Sequence, residues 1–281
     1  VLISVQHHNS FLSFSALKNP PHPFLPSSKG KQQNMASNTT TLPTYNPGDI
    51  SWVLTSTAFV WLMIPGIGYF YSGLSRSKNA LSLIIISVLS VAIVSVQWFI
   101  WGYSLTFSET SSSPFIGDLT NAFFRGVNNS PSMGNPKIPG LAFAIFQSMF
   151  ASLTPALAIG SAAERGRILP MTVFIFVWTT IVYDPIAYWS WNTNGWSKRL
   201  GGLDFAGGTP LADGCAGMSY SFVVTYIILF LMDKIPGLSL RVDIKTETNG
   251  IDASEMGESA YYHIDKLQGD PAVTEFTHTS S

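Results

Sequence analysis

Charge is the scarcest commodity in this 281-residue sequence. Asp, Glu, Lys and Arg together make up 11% of it, against about 25% in an ordinary soluble domain. The charges that exist nearly cancel, 15 basic against 16 acidic, for a net of −1, so the basic footprint of a nucleic-acid binder is missing. One cysteine excludes an intrachain disulfide framework and a Cys-rich zinc site. The five histidines, His7, His8, His22, His263 and His278, all lie in the polar ends. No proton relay or metal site can therefore rest on histidine within an apolar run. What is abundant is apolar: 46% of residues are hydrophobic, 13% are aromatic, and mean hydropathy is +0.26. That excludes a disordered chain and points to an integral membrane protein.

A hydrocarbon core of about 30 Å takes roughly 20 apolar helical residues. Runs at 51–71, 81–107, 139–163 and 169–191 meet that length, with Asp184 the one charge in the fourth; 214–232 is a fifth. Five such runs, with charge confined to the connections, predict an all-α polytopic membrane protein with a transmembrane domain over 51–235. Residues 1–34 read as a disordered leader or translated upstream sequence before Met35, and 35–50 as a short extracellular N-terminus. Residues 236–281 read as a polar cytoplasmic tail. Arg76 and Lys78 follow the first run, Arg165 and Arg167 the third, Lys234 and Arg241 the fifth. Basic short loops face the cytoplasm, which sets the N-terminus outside and the C-terminus inside. Lys198 and Arg199, after the fourth run, vote the other way. Asn38 and Asn128, each opening an N-x-S/T triplet, then become candidate N-glycosylation sites.

Within the runs, Pro65 and Thr154-Pro155 predict kinks, and Ala156, Ala158, Gly160 and Ala162 predict a closely packed helix face. Gln147 and Ser148 are candidates for bonds across helices. Asp184, followed by Pro185, is expected to cap a broken helix or face water. Trp98, Trp101, Tyr103, Tyr188, Trp189, Trp191 and Trp196 read as an interfacial belt. The Gly-rich stretch 201–210 has no Walker Gly-Lys-Ser/Thr end and no strand before it, so a tight re-entry into the bilayer with Asp204 as a helix cap fits better than nucleotide binding.

Several of these pieces together resemble one family. Pro65-Gly66-Ile67-Gly68-Tyr69-Phe70-Tyr71-Ser72-Gly73-Leu74-Ser75-Arg76-Ser77-Lys78-Asn79 resembles the first-span signature of ammonium transporters, and Leu203-Asp204-Phe205-Ala206-Gly207-Gly208-Thr209 their loop at the start of span five. Ala162-Ala163-Glu164-Arg165 resembles the turn after span three. Gly250-Ile251-Asp252 and Gly257-Glu258-Ser259-Ala260-Tyr261 resemble the cytosolic tail. The chain is thus similar to fungal members of the Amt/Mep/Rh family over about 49–262. The resemblance implies a plasma-membrane, multi-pass, homotrimeric ammonium transporter, not an enzyme, with ammonium or ammonia as substrate and no cofactor. Family members have eleven spans, the first ten forming two inverted halves around a pore. By resemblance, Trp191 matches the vestibule tryptophan that holds ammonium by cation–π contact. Phe150 matches the first gate phenylalanine, and Asp204 the aspartate that supports the outer site. Taken without the family, they read as a belt Trp, a packing Phe and a helix cap.

The sequence departs from the family after Pro210. Where a channel histidine is expected stands Ala212, and from Gly214 the chain resembles the family's last span. Most of span five and spans six to ten are then missing, with both channel histidines, leaving an incomplete bundle of about five spans. Either an internal segment has been lost from the coding sequence or the five-span chain is genuine. The resemblance implies an ammonium transporter whose present chain does not conduct alone. The alternative is a regulatory or receptor-like membrane subunit that associates with full-length ammonium transporters.

Overall fold

The computed structural model describes residues 44–128, 130–202, 211–258 and 260, without the side chains of 211–213. The five histidines, Asn38 and Asp204 lie outside the described residues, as does the matched loop at 203–209.

The described part is helical. The first helix, α1 (Pro47–Leu74), begins where Asn46 Oδ1 accepts the N–H of Gly48 at 2.9 Å, with Pro47 in the first turn and Asp49 just behind it. These residues satisfy the unpaired first-turn amides and the positive end of the helix dipole. The helix runs through Pro65 without a break and stops at Ser75, which turns extended. Then α2 (Ala80–Gln97), a wide π-helical turn (Trp98–Gly102) and α3 (Tyr103–Phe107) form one continuous rod. A folded loop leads to α4 (Gly140–Ile159), continuous through Pro155. Next, α5 (Ile168–Trp178), a second π-helical turn (Thr179–Tyr183) and α6 (Asp184–Trp191) make another long rod, followed by the short α7 (Trp196–Arg199). The last long helix is α8 (Leu211–Lys234), and α9 (Ile244–Asn249) lies in the tail.

Five of these rods are long and apolar enough to cross a membrane: Pro47–Leu74, Ser77–Phe107, Gly140–Ala162, Ile168–Arg199 and Gly214–Lys234. They are called spans one to five below. Among the described residues there is no strand, only two isolated bridges. A helix satisfies its own backbone, which is why a chain this apolar takes no other form in hydrocarbon.

Spans one, two and three pack as a triplet, and spans two and three also bury the inner face of span four. The small-residue face of span three makes a close contact. A Cβ built on Gly160 would lie 2.4 Å from the Tyr71 ring, whose hydroxyl donates to Leu157 O at 2.9 Å. Span five touches the rest chiefly through α5 and the π-helical turn after it, and its Met218, Phe222 and Tyr226 are about two-thirds or more exposed.

The belt expectation is corrected for four rings. Trp98, Tyr103, Tyr188 and Trp189 are buried within the bundle, while Trp191 is half-buried beside Phe107. The loop after span two supplies the polar partners of two of the buried rings. Trp189 Nε1 donates to Phe115 O at 2.7 Å and Tyr188 Oη to Ser113 O at 2.8 Å, while Trp98 Nε1 reaches Ala144 O at 3.0 Å.

Candidate functional site

At the end of span four, α6 presents Trp191. Its ring lies parallel to Phe107, centroids 6.5 Å apart and 3° from coplanar. Trp191 also lines a groove of about 930 Å³ that follows spans four and five down to Leu240. Ala158 and Thr154 of span three, Phe174, Trp178 and Ile186 of span four, and Phe222 of span five form its walls. Trp178 Nε1 donates to Thr225 Oγ1 at 2.8 Å and Tyr220 Oη to Ile181 O at 2.8 Å, which hold span five at the groove's edge. Because Phe222 and Met218 are largely exposed, the groove is open along its side.

Phe150 is not in that groove. Its ring meets Phe146 at 5.0 Å, nearly perpendicular, in a cluster with Val53 and Val60 of span one. The structure therefore does not place Phe150 and Trp191 on one cavity wall. Ala212 lies in α8. Asn128 is exposed, in the loop between spans two and three.

Asp184 neither caps a broken helix nor faces water. It continues the helix from the π-helical turn, is fully buried, and accepts a hydrogen bond from Gln97 Nε2 at 2.7 Å. Gln97 Nε2 also reaches Thr180 Oγ1 at 3.1 Å, and Trp101 Nε1 donates to the same oxygen at 3.0 Å. The widened turns of spans two and four are thus sewn together by one polar cluster, the setting in which π-turns often occur. Gln147 and Ser148 do not bond across helices: Ser148 Oγ donates to Ile145 O in its own helix, and Gln147 Oε1 is buried without a partner. Sequence reasoning passed over Gln97. The available signal was a lone amide inside the apolar run 81–107, 87 residues from the one acidic residue of span four.

At the opposite end from Trp191, the tail is fastened to two connections. Arg76 Nε pairs with Glu164 at 2.9 Å, Arg167 with Glu255 at 3.1 Å, and Arg165 and Arg241 share Glu247 at 3.2 and 3.6 Å. Lys78 donates to Thr248 O. Glu164 sits at φ 69°, the left-handed region that side chains other than glycine seldom enter. Burial alone would raise its carboxyl pKa. The backbone N–H, charge and guanidinium of Arg76, helped by Asn79, outweigh that and hold it below the usual carboxylate range. Gly250, at φ 107°, lies where any Cβ would meet Lys78 backbone at 2.8 Å, so the tail can close on this loop only with glycine there.

Among the described residues no group of three or more His, Cys, Asp or Glu is placed to hold a metal ion. The groove offers aromatic faces, aliphatic walls and a few hydroxyls, a surface for an apolar guest or for a cation at an aromatic mouth.

The sequence profile of the Ammonium Transporter Family matches residues 51–212 and 210–261, two stretches that meet at Pro210–Ala212. The chain is 56% identical over 182 residues to Ammonium transporter 1 of Schizosaccharomyces pombe, covering 64% of this chain and 36% of that protein. It is 47% identical over 192 residues to Ammonium transporter MEP2 of Saccharomyces cerevisiae, covering 67% and 38%. The crystal structure of Candida albicans Mep2 superposes with a TM-score of 0.56 at 43% identity, over 64% of this chain and 40% of that one. The chain thus spans little more than a third of the length of these curated relatives. Matched over well more than half of its residues, it belongs to the ammonium transporter family, a family of membrane transporters rather than enzymes.

Proposed function

We propose that this chain carries one wall of an ammonium-conducting path and does not conduct alone. The observation that carries this reading is the groove that starts at Trp191: it is open along its side rather than enclosed. A monocation at bilayer depth needs an enclosed, partly polar route or must shed its proton, because bare charge in hydrocarbon is costly. Here no span contains a histidine, so a relay of the family's kind has no residue to rest on. Two matched stretches meeting at 210–212 support an internal segment being absent between them. Trp191 holds the cation at the mouth, Asp204 supports it from the following loop, and Phe150 packs span three against span one.

In this reading the chain sits in the plasma membrane with its N-terminus outside and its tail in the cytoplasm. Loops after spans one and three meet the tail at one end of the bundle, the grouping that basic residues on a single side require. Asn128 then lies on the outer side, open to glycosylation.

The test is growth of cells lacking their own ammonium transporters on limiting ammonium, with methylammonium uptake as the direct readout. Expected is no rescue, with the protein present in the membrane fraction; rescue by this chain overturns the proposal. Full-length transcript sequencing separates the two origins. A message that reads on from Pro210 into further spans makes the short chain a shortened copy of a transporter. A message of the short length makes it a protein in its own right.

A second reading has one observation in its favour, the fastening of the described part of the tail to the loops. A chain that keeps this end folded can still pair with full-length transporters as a regulatory subunit in a mixed trimer. Co-purification with a full-length relative at native expression is the expected result; its absence counts against the reading.

A further inference from the structure

We propose that a single buried water joins Asn79, Glu164 and Ser82 in a small cavity under the tail, and so ties the connections after spans one and three to it. The inference does not depend on whether the chain conducts.

Three features carry it. The first is an orphaned donor. Asn79 is 1% exposed, and its Nδ2 has no hydrogen-bond partner. The tail fixes which way this amide points, because Asn79 Oδ1 accepts the backbone N–H of Ile251 at 2.9 Å. A backbone N–H can only donate, so the oxygen faces Ile251 and the NH2 group faces the other way. A buried donor of this kind calls for an acceptor.

The second is space. Asn79 lines a cavity of about 10 Å³ with Ser82, Glu164, Gly166, Met171 and Ile251. That is room for one water and for nothing larger.

The third is the set of partners. A water held inside a protein makes about three hydrogen bonds. Here Asn79 Nδ2 donates to it. The Glu164 carboxylate takes the N–H of Arg76 on one oxygen and Nε of Arg76 on the other, and each oxygen has a further lone pair. The Ser82 hydroxyl spends its proton on Asp252 Oδ1, so it too can accept. The water's own protons go to these two oxygens. Asn79 lies close enough to the Glu164 carboxylate to favour its charge, yet no direct bond joins them. A polar contact of that kind is where a bridging water belongs.

The test is water–methyl nuclear Overhauser spectroscopy on the full chain in detergent micelles, deuterated and labelled with carbon-13 at the methionine methyls. Met171 is 2% exposed, and its Cε lies beside Gly166 on the cavity wall. Met149, buried in a separate cluster with Val53 and Val60, is the reference. Expected is a cross-peak from water to the Met171 methyl whose sign differs between the laboratory and rotating frames, the mark of a water that tumbles with the protein. No such peak should reach Met149. Equal signs in the two frames would mean solvent passing along the larger groove that Met171 also lines, and would overturn the proposal, as would no peak at all. Two variants separate the water from a relay through the Ser82 hydroxyl. Asn79→Leu removes the donor at similar volume and should abolish the peak, with the Met149 methyl shift as the check that the bundle is intact. Ser82→Ala leaves the water two partners and should keep the peak. Persistence in Asn79→Leu, or loss in Ser82→Ala, assigns the signal to the hydroxyl and overturns the site.

Discussion

Asp252 of the tail closes the open N-terminus of α2 through Ser82. Its carboxylate accepts the backbone N–H of Ser82 at 2.8 Å and the Ser82 hydroxyl at 2.5 Å, and takes the N–H of Leu81 at 2.9 Å on its other oxygen. Asn79, the residue before the helix, makes no capping bond to it and instead accepts the N–H of Ile251 at 2.9 Å. The second span therefore borrows its cap from 170 residues away, and the tail gains a buried anchor at the positive end of a helix dipole.

It follows that Asp252→Ala should free the tail and fray α2 at once. Loss of a charged cap and of hydrogen bonds to a buried carboxylate costs about 1–3 kcal/mol. Trypsin cleavage at Lys245, within α9, should quicken by about tenfold, since cleavage tracks the open population. An unchanged digestion rate would mean that the ion pairs of Glu247 and Glu255 hold the tail by themselves.

The Gln97–Asp184 pair predicts a non-additive cycle. Asp184→Leu alone removes the shorter of the two bonds of Gln97 Nε2, leaving it only Thr180 Oγ1, and should cost about 1–3 kcal/mol; Gln97→Leu alone removes the amide that the buried carboxyl accepts from and should cost at least as much. The double substitution removes both needs together and should recover most of the loss, because two apolar groups of similar shape can replace a buried polar pair. Thermal unfolding of the three variants in one detergent measures this, and additive losses would show that the two residues act separately.

These contacts also mark how far the sequence could be read. Five spans were legible because a membrane helix is announced by its own composition, one run at a time. Register between runs is not. Nothing in 81–107 says that Gln97 meets Asp184, and nothing near Asn79 says that its helix is capped by Asp252. Rings suffered from the same limit. Trp189 and Tyr188 have the composition of a belt, yet the loop carrying Ser113 and Phe115 folds over them and supplies acceptors, a placement that only the loop's fold decides. Pro65 and Pro155 end neither helix, as prolines can where neighbouring helices and hydroxyls absorb the lost hydrogen bond. Of the site residues, Trp191 stacks on Phe107 and lines the groove, while Phe150 packs with Phe146 toward span one.

The Asp118 carboxylate predicts an acid-sensitive loop. Burial by itself would raise its pKa, but the hydroxyls of Ser108 and Thr110 and the N–H of Thr120 outweigh burial and hold it at about 2, from an ordinary 3.8. A carboxylate depressed in the folded state stabilises above its unfolded pKa, and that contribution is lost as pH falls through the folded value. Protection of the amides of residues 108–120, taken as exchange relative to an unstructured peptide at the same pH, should therefore hold at neutral pH and fall as pH drops from about 3.8 toward 2. Asp118→Asn should show the faster exchange already at neutral pH and lose the acid step.

Gly160 and Tyr71 yield the last prediction. The ring occupies the place where a side chain on residue 160 would begin, with Cζ 2.4 Å from the built Cβ. Gly160→Ala must push the ring away and break its bond to Leu157 O, at a cost of about 1–3 kcal/mol typical of overpacking. Tyr71→Ala opens the same space at its own cost. If close approach is what Gly160 provides, adding Gly160→Ala to Tyr71→Ala should cost far less than it does in the parent, read as the shift in thermal midpoint. A full extra loss in the double variant would place the role of Gly160 in the bend that follows α4 rather than in the contact with span one.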